Sequence, residues 1–172
     1  MNNKDSEIVA LEDLSELKRP RIAFISGHID IGQDAFLAQY QKPLELTISA
    51  GDHFNVSNAK DADTRALEYL QAQDVEPAGI KIYFHKSLEW TQQGPGRARK
   101  SEQGFRVKVV DGSHSDRDAV MTGESDYDIL WVRSEEETKG LYGKKYRAGS
   151  VSGTQKNQEK RELLVRERKA GA

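Results

Sequence analysis

The sequence contains no cysteine and no long apolar segment. Without thiols the chain cannot form disulfides, use a thiolate nucleophile, or hold zinc or an iron–sulfur cluster through cysteine. No segment approaches the ~18 consecutive apolar residues of a transmembrane helix. The first residues carry acids where a secretory signal peptide needs basic residues followed by an apolar stretch. We therefore expect a soluble cytoplasmic protein that does not act at a membrane.

Hydrophobic residues are also scarce. They make up 36% of the 172 residues, and the mean hydropathy is −0.76. A chain of this length buries roughly two thirds of its unfolded surface, which is enough for a compact core of its own. We expect an N-terminal extension over residues 1–20 and a single domain over 21–172.

Neither sign of charge dominates, because 26 basic residues face 28 acidic ones and the net charge is −2. The total charge therefore gives no reason to favour nucleic acid as a partner. The segment 86–108 is locally basic, carries two aromatic residues, and includes Gly94-Pro95-Gly96. Cations beside aromatic rings can clamp a nucleotide or contact a single strand, while the alternative is a solvated loop. Nucleic acid is thus an alternative partner and not the favoured one.

Short apolar segments alternate with amphipathic ones along the chain. The pattern predicts strands at 21–26, 53–57, 80–85 and 128–133, with a short extra strand in 104–110. It predicts helices at 32–42, at 43–48 after Pro43, from 62 to about 70, at 116–123 and at about 153–169. Leu11, Leu14 and Leu17 fit a short helix in the N-terminal extension. This alternation indicates an α/β fold, a Rossmann-like three-layer sandwich with a mainly parallel sheet of four to five strands.

Small, hydroxyl and ionisable residues follow the predicted strands, at the edge where open parallel sheets bind ligands. The start of the last helix adds backbone N–H groups that have no partner within the helix. We therefore predict a pocket for a small anionic molecule. Its candidate ligand-binding residues are Ser26, Gly27, His28, Asp63, Arg133, Ser152, Gly153 and Thr154.

Several residues near the predicted pocket also fit a purely structural role. Ser26-Gly27 fits an ordinary turn, and His28 and His85 fit turn or surface histidines. Asp63 would cap its helix or bond a sugar hydroxyl, and Arg133 would pair with ligand charge. Asp126 and Asp128 either flank the pocket or form a polar cap where the strand enters the sheet. The run 135–137 is expected to be loop surface, and no metal site or cofactor is predicted.

Three segments resemble the SLOG superfamily, a Rossmann-like group that includes the lonely-guy phosphoribohydrolases and the DNA-processing protein A family. They are FISGH at 24–28, SNAKDAD at 57–63, and SDYDILWVR followed by SGTQKN within 125–157. Nucleoside deoxyribosyltransferases are a related group. The match is nearest to an uncharacterised branch. The resemblance implies a nucleotide or nucleotide-derived ligand and pairing through helices into a homodimer.

In the hydrolase and transferase members of this group, a glycine-threonine turn corresponds to Gly153-Thr154. A glutamate lies three residues after that threonine and acts at the sugar C1′. Here that position is Asn157, which cannot serve as a carboxylate nucleophile or as an anion. The favoured function is therefore a binding protein, a sensor or sequestering domain. The alternatives are an N-glycosidase or transferase, with Asp30 as the acid and His28 or Asn157 orienting the sugar, and an interaction module for nucleic acid or protein.

Overall fold

The computed structural model of the chain describes residues 9–10, 19–86 and 90–172. Within these ranges, one sheet has the strand order β1-β6-β2-β3-β4-β5. Strands β2 to β6 are parallel, and β1 pairs antiparallel with β6. The strands are β1 (Val9–Ala10), β2 (Ile22–Ser26), β3 (His53–Ser57), β4 (Ile80–Lys86), β5 (Arg106–Asp111) and β6 (Tyr127–Leu130).

Helices cover both faces of this sheet, so the α/β three-layer prediction is confirmed. Helices α1 and α2 pack over one face through a large apolar cluster that includes Phe36, Phe54 and Leu70. On the other face, α4 packs through Met121 against Phe24 and lies beside α6. The helices are α1 (Gln33–Ser49), α2 (Ala62–Ala72), α3 (Trp90–Glu102), α4 (His114–Gly123), α5 (Glu135–Tyr142) and α6 (Gly153–Gly171).

Helix α1 is continuous, so the prediction of a break at Pro43 is wrong. An interior proline removes one hydrogen bond and costs about 3 kcal/mol or more. Phe36, Tyr40 and Leu44 lie on one face of this helix and are wholly buried. Since burial of each such side chain contributes about 1.5–3 kcal/mol, their packing outweighs the cost of the proline.

The predicted loop over 86–108 is also wrong for the described residues 90–102 and 106–108, while residues 87–89 lie outside the described ranges. Helix α3 runs through Gly94-Pro95-Gly96, and β5 follows as the extra strand that the sequence suggested. The run 135–137 is not loop either, because it forms the first turn of α5. Ser134 caps that turn and Glu137 accepts a hydrogen bond from the Ser134 N–H, a reciprocal arrangement that favours acidic residues at a helix start.

The N-terminal segment contributes to the sheet through Val9 and Ala10, which pair with Asp128 and Tyr127. The helix expected from Leu11, Leu14 and Leu17 lies outside the described residues. Across the part of the chain that the structure describes, no helix has the length and apolar character needed to span a bilayer.

Candidate functional site

A cavity of about 550 Å³ opens at the carboxyl edge of the parallel strands. This volume is within the usual range for small-molecule sites, about 300–1,000 Å³. Most of the residues predicted from the sequence meet here, although they come from distant parts of the chain. The predicted residues that line the cavity are Ser26, Gly27, His28, Asp30, Asp63, Ser152, Gly153, Thr154 and Asn157.

Three helices begin at this cavity. Residues at the starts of α2, α4 and α6 all belong to its wall, including Lys60, His114 and Gly153. At the start of α6, the hydroxyl of Ser152 accepts a hydrogen bond from the N–H of Gln155 at 3.1 Å. The N–H groups of the preceding residues in this turn have no acceptor within the helix, and the helix dipole favours an anion beside them. A side chain built at Gly153 would meet no atom within 4 Å, so there is room for a ligand at this point.

Gly27 has a steric role at the end of β2. A Cβ atom at this position would collide with the Ala62 Cβ and lie only 2.6 Å from the Tyr40 hydroxyl. That hydroxyl donates to the Ser26 carbonyl at 2.7 Å and accepts from the Trp131 N–H at 3.2 Å. Tyr40 therefore fixes the carboxyl ends of β2 and β6 relative to each other, and Gly27 makes its close approach possible.

Asp63 fixes the end of β3. Its Oδ1 atom accepts hydrogen bonds from the Ser57 N–H at 2.9 Å and from the Ser57 hydroxyl at 2.8 Å. These contacts join the first turn of α2 to the preceding strand, in place of the helix cap expected from the sequence. Burial raises the pKa of Asp63 to about 6, against the opposing effect of the Ser57 bonds. Asp63 is thus a cavity carboxyl that takes up a proton in mildly acidic solution.

His28 and Asp30, the candidate catalytic residues, both contact other residues of the protein. The Nε2 atom of His28 accepts a hydrogen bond from the Arg133 N–H at 3.2 Å, and its ring meets the Trp131 ring edge-on. Burial, followed by the charge of Arg133, lowers the pKa of His28 to about 4. The imidazole is therefore neutral at pH 7 and holds the backbone after β6 in place.

Asp30 is bound on both carboxylate oxygens. Arg133 Nη1 lies 2.6 Å from Oδ1, and the Tyr142 hydroxyl donates to Oδ2 at 2.7 Å. Burial opposes ionisation of Asp30, but these hydrogen bonds and the charge of Arg133 outweigh it and lower the pKa. An ionised carboxylate in this pairing is unsuited to donate a proton, and Arg133 is already engaged rather than free to meet ligand charge.

Asn157 is at the centre of a polar network that sequence reasoning found only in part. Its Nδ2 atom donates to Ser26 Oγ at 2.9 Å and to Asp118 Oδ2 at 3.1 Å. The other oxygen of Asp118 accepts from Arg117 Nε at 3.0 Å and from Nη2 at 2.8 Å. Arg117, which is 5% exposed, also donates to Asn58 Oδ1. The network thus joins the last residue of β2 and the residue after β3 to the first turns of α4 and α6.

Arg117 and Asp118 line the cavity but were absent from the sequence prediction. They belong to the first turns of α4, directly after β5. The sequence interpretation treated the preceding segment mainly as loop, so α4 had no firm strand before it to bring its start to the carboxyl edge. A full strand predicted at β5 would have placed the start of α4 at the carboxyl edge and so would have identified Arg117 and Asp118 as cavity residues.

Asp126 and Asp128 lie away from the cavity wall. Asp126 accepts from both Arg19 Nη atoms and from the Ile22 N–H where β2 and β6 enter the sheet. Asp128 is paired with Arg161, and both side chains are wholly buried. The polar-cap interpretation of this pair therefore fits better than a role in the pocket.

Within 9–10, 19–86 and 90–172, no group of three or more histidine or acidic side chains is arranged to hold a metal ion. Comparisons with models of protein families, with curated protein sequences and with solved structures found no match to the chain.

Proposed function

We propose that this protein binds a nucleotide or nucleotide-derived phosphate ligand in the cavity at the carboxyl edge of the sheet, as a sensor or sequestering domain. The observation that carries the proposal is the convergence of three helix starts, on α2, α4 and α6, at one cavity of about 550 Å³. Each start presents backbone N–H groups and the positive end of a helix dipole. A phosphate group bound there would be stabilised from several directions.

The start of α6 is the best place for the phosphate. Gly153 leaves the backbone accessible, and Ser152 and Thr154 add hydroxyl groups beside it. Lys60 lies in the same cavity wall and supplies positive charge. The remaining volume then accommodates the sugar and base of a nucleotide.

Binding is favoured over catalysis because the expected catalytic groups have other partners. Asn157 is an uncharged amide bonded to Ser26 and Asp118. Asp30 is held as an ion pair with Arg133, and His28 is neutral at pH 7. None of these three side chains supplies the acid or the free carboxylate that glycosidic cleavage needs.

A second candidate function is hydrolysis or transfer at the N-glycosidic bond of a nucleotide, and the position of Asp118 favours it. Its carboxylate lies beside Asn157 in the cavity wall, so a negative charge is present near the position that lacks one. In hydrolysis, the oxygen of water bonds to the sugar C1′ as the C1′–N bond breaks, the departing base takes up a proton, and the added water releases one to the solvent. Asp63, with a pKa of about 6, is the candidate donor.

Native mass spectrometry of the purified protein, followed by thermal shifts with matched compounds, tests the proposal. Adenosine, AMP and ADP-ribose differ in whether they carry phosphate, and we expect only the phosphorylated compounds to raise the Tm. Free base released from AMP on incubation would establish the enzymatic candidate. No shift with any phosphorylated compound would contradict the binding proposal.

Membership of the SLOG superfamily and pairing into a homodimer stay predictions of the resemblance. The nucleic-acid or protein interaction alternative rested on a basic loop and the C-terminal helix, and the cations of that loop lie on β4, α3 and β5. Binding to DNA or RNA that weakens steeply with salt is the result that would favour it.

A further inference from the structure

Asp118 is the carboxylate of the cavity that the proposed function leaves without a role. Its side chain is 14% exposed and lies in the cavity wall together with Asn157. A partly exposed carboxylate in the wall of an anion-binding cavity is costly, because it repels the anion. Its position in this wall is explained if it recognises a different part of the same ligand.

The hydrogen bonds of Asp118 show which ligand group it suits. Oδ1 accepts two bonds from Arg117, whereas Oδ2 accepts one from Asn157. Since an ionised carboxylate has about four acceptor positions, one position remains on Oδ2, and the partly exposed side chain lines the cavity. A carboxylate accepts but does not donate, so the matching ligand group is an O–H or N–H donor.

The charges around the cavity indicate which end of a bound ligand carries its anionic group. Asp118 and Asp63 both line the cavity, together with Arg117. Burial is the main cause of the raised pKa of Asp63, while Arg117 lowers that pKa and Asp118 raises it. Arg117 offsets part of the charge of Asp118, but a phosphate placed against the two carboxylates would still be repelled, whereas the start of α6 and Lys60 attract it. The ligand therefore carries an anionic group at one end and neutral hydroxyl donors further along, which is the chemistry of a ribose phosphate.

We propose that Asp118, held in position by Arg117 and Asn157, accepts a hydrogen bond from a ribose hydroxyl and so selects ribonucleotides over deoxyribonucleotides. The inference rests on the proposed function, because it assumes that the phosphate occupies the start of α6. It adds the sugar specificity of the site and the residue that determines it.

The wild-type protein is the first test. Affinities are measured by calorimetry for AMP, 2′-deoxy-AMP and 3′-deoxy-AMP at one pH and salt concentration. A hydrogen bond to a charged group is worth enough to change affinity by about tenfold or more, so we expect at least one deoxy analogue to bind at least tenfold more weakly. Equal affinities for all three would overturn the inference and leave the phosphate proposal standing. No binding of any of them would overturn both.

Asp118→Asn assigns the selection to this residue. Arg117 can donate only to the oxygen of the introduced amide. The NH₂ group at position 118 would then face the NH₂ group of Asn157, and neither can accept from the other. We expect this variant to lose the discrimination between AMP and the weaker deoxy analogue, while Asp111→Asn, an exposed site at the end of β5, keeps it. Undiminished discrimination in Asp118→Asn would overturn the assignment.

A double variant guards against misfolding of the single one. Combining Asp118→Asn with Asn157→Asp reverses the pair, because the amide at 118 then donates to a carboxylate at 157 and still accepts from Arg117. We expect the double variant to match the wild-type Tm more closely than Asp118→Asn and to regain selection for the ribose hydroxyl. If the double variant is folded and binds AMP and the deoxy analogue equally well, a carboxylate in this pair does not recognise the ribose hydroxyl.

Discussion

The Nδ2 atom of Asn157 lies 3.1 Å from the Oδ2 atom of Asp118, so the negative charge of this pair resides on α4 and not on α6. In the enzymes that the sequence resembles, a glutamate lies at the corresponding position. Asn157 instead donates to Asp118 and to Ser26, so the polar network is complete without a carboxylate at position 157.

Asn157→Asp should destabilise the protein in a pH-dependent way. Two carboxylates would then lie side by side, and their repulsion and burial raise the pKa of one of them in the folded state, although Arg117 beside Asp118 and Lys160, 3.4 Å from Asn157 Oδ1, offset part of this rise. The folded variant binds that proton more tightly than the unfolded chain does, so its stability falls as the pH rises through the raised pKa. We expect a loss of about 1–3 kcal/mol relative to wild type at pH 8 and a smaller loss at pH 5.

Urea unfolding at both pH values checks this prediction. Gln158→Glu, on the same helix and with the same change of charge, is the control and should show little pH-dependent difference from wild type. A loss in Asn157→Asp that is the same at pH 5 and pH 8 would show that charge repulsion is not its cause.

Gly27→Ala should destabilise the fold and weaken ligand binding together. The added methyl group collides with Ala62 and approaches the Tyr40 hydroxyl to 2.6 Å, so the start of α2 or the Tyr40 bridge must shift. Overpacking of this kind costs about 1–3 kcal/mol. Gly32→Ala is the matched control, because a Cβ atom at Gly32 meets nothing within 4 Å. Equal urea midpoints for the two variants would contradict the close-approach role of Gly27.

Asp63 should make stability depend on pH below neutrality. Its pKa is raised from 3.8 to about 6, so the folded state holds the proton more tightly than the unfolded chain does. The stabilisation is complete below about pH 4 and is lost as the pH rises to about 6, with a size of about 3 kcal/mol from 1.36 kcal/mol per pH unit.

The difference between wild type and Asp63→Asn isolates this contribution, because an amide oxygen can still accept both bonds from Ser57. We expect that difference to change between pH 4 and pH 6 and to be flat above pH 7. Chemical denaturation across this range measures it. A flat difference from pH 4 to pH 8 would mean that Asp63 titrates normally.

The strands of the fold were predictable because short apolar runs such as 22–26 and 53–57 are buried in the sheet. The errors come from places where packing overrides local preference. Pro43 lies inside α1 because the buried face of that helix outweighs the break that single-residue propensity predicts, and Gly94-Pro95-Gly96 also lies within a helix. The pairing of Val9 and Ala10 with β6 is a long-range contact that no local pattern encodes.

The cavity could be located from the sequence because the carboxyl ends of parallel strands necessarily share one edge. The hydrogen-bond partners of the cavity side chains could not be predicted from the sequence. Arg133 and Asp30 are 103 residues apart, and Tyr142 is 112 residues from Asp30. Each residue type suggested a free catalytic or ligand-binding group, and only the folded arrangement shows that they bind one another.

Titration of AMP into wild type, Gly153→Asn and Gly153→Asp tests the central claim most directly. Position 153 has open space, and an acidic residue in the first turn of a helix is favourable, so both variants should fold. Both side chains occupy space beside the phosphate, but only the carboxylate also repels it, so Gly153→Asn separates the effect of bulk from that of charge. We predict that wild type binds AMP most tightly, that Gly153→Asn binds it more weakly, and that Gly153→Asp binds it at least tenfold more weakly than Gly153→Asn, as expected for a further loss of about 1.4 kcal/mol or more. Equal affinity in all three proteins would contradict a phosphate site at the start of α6.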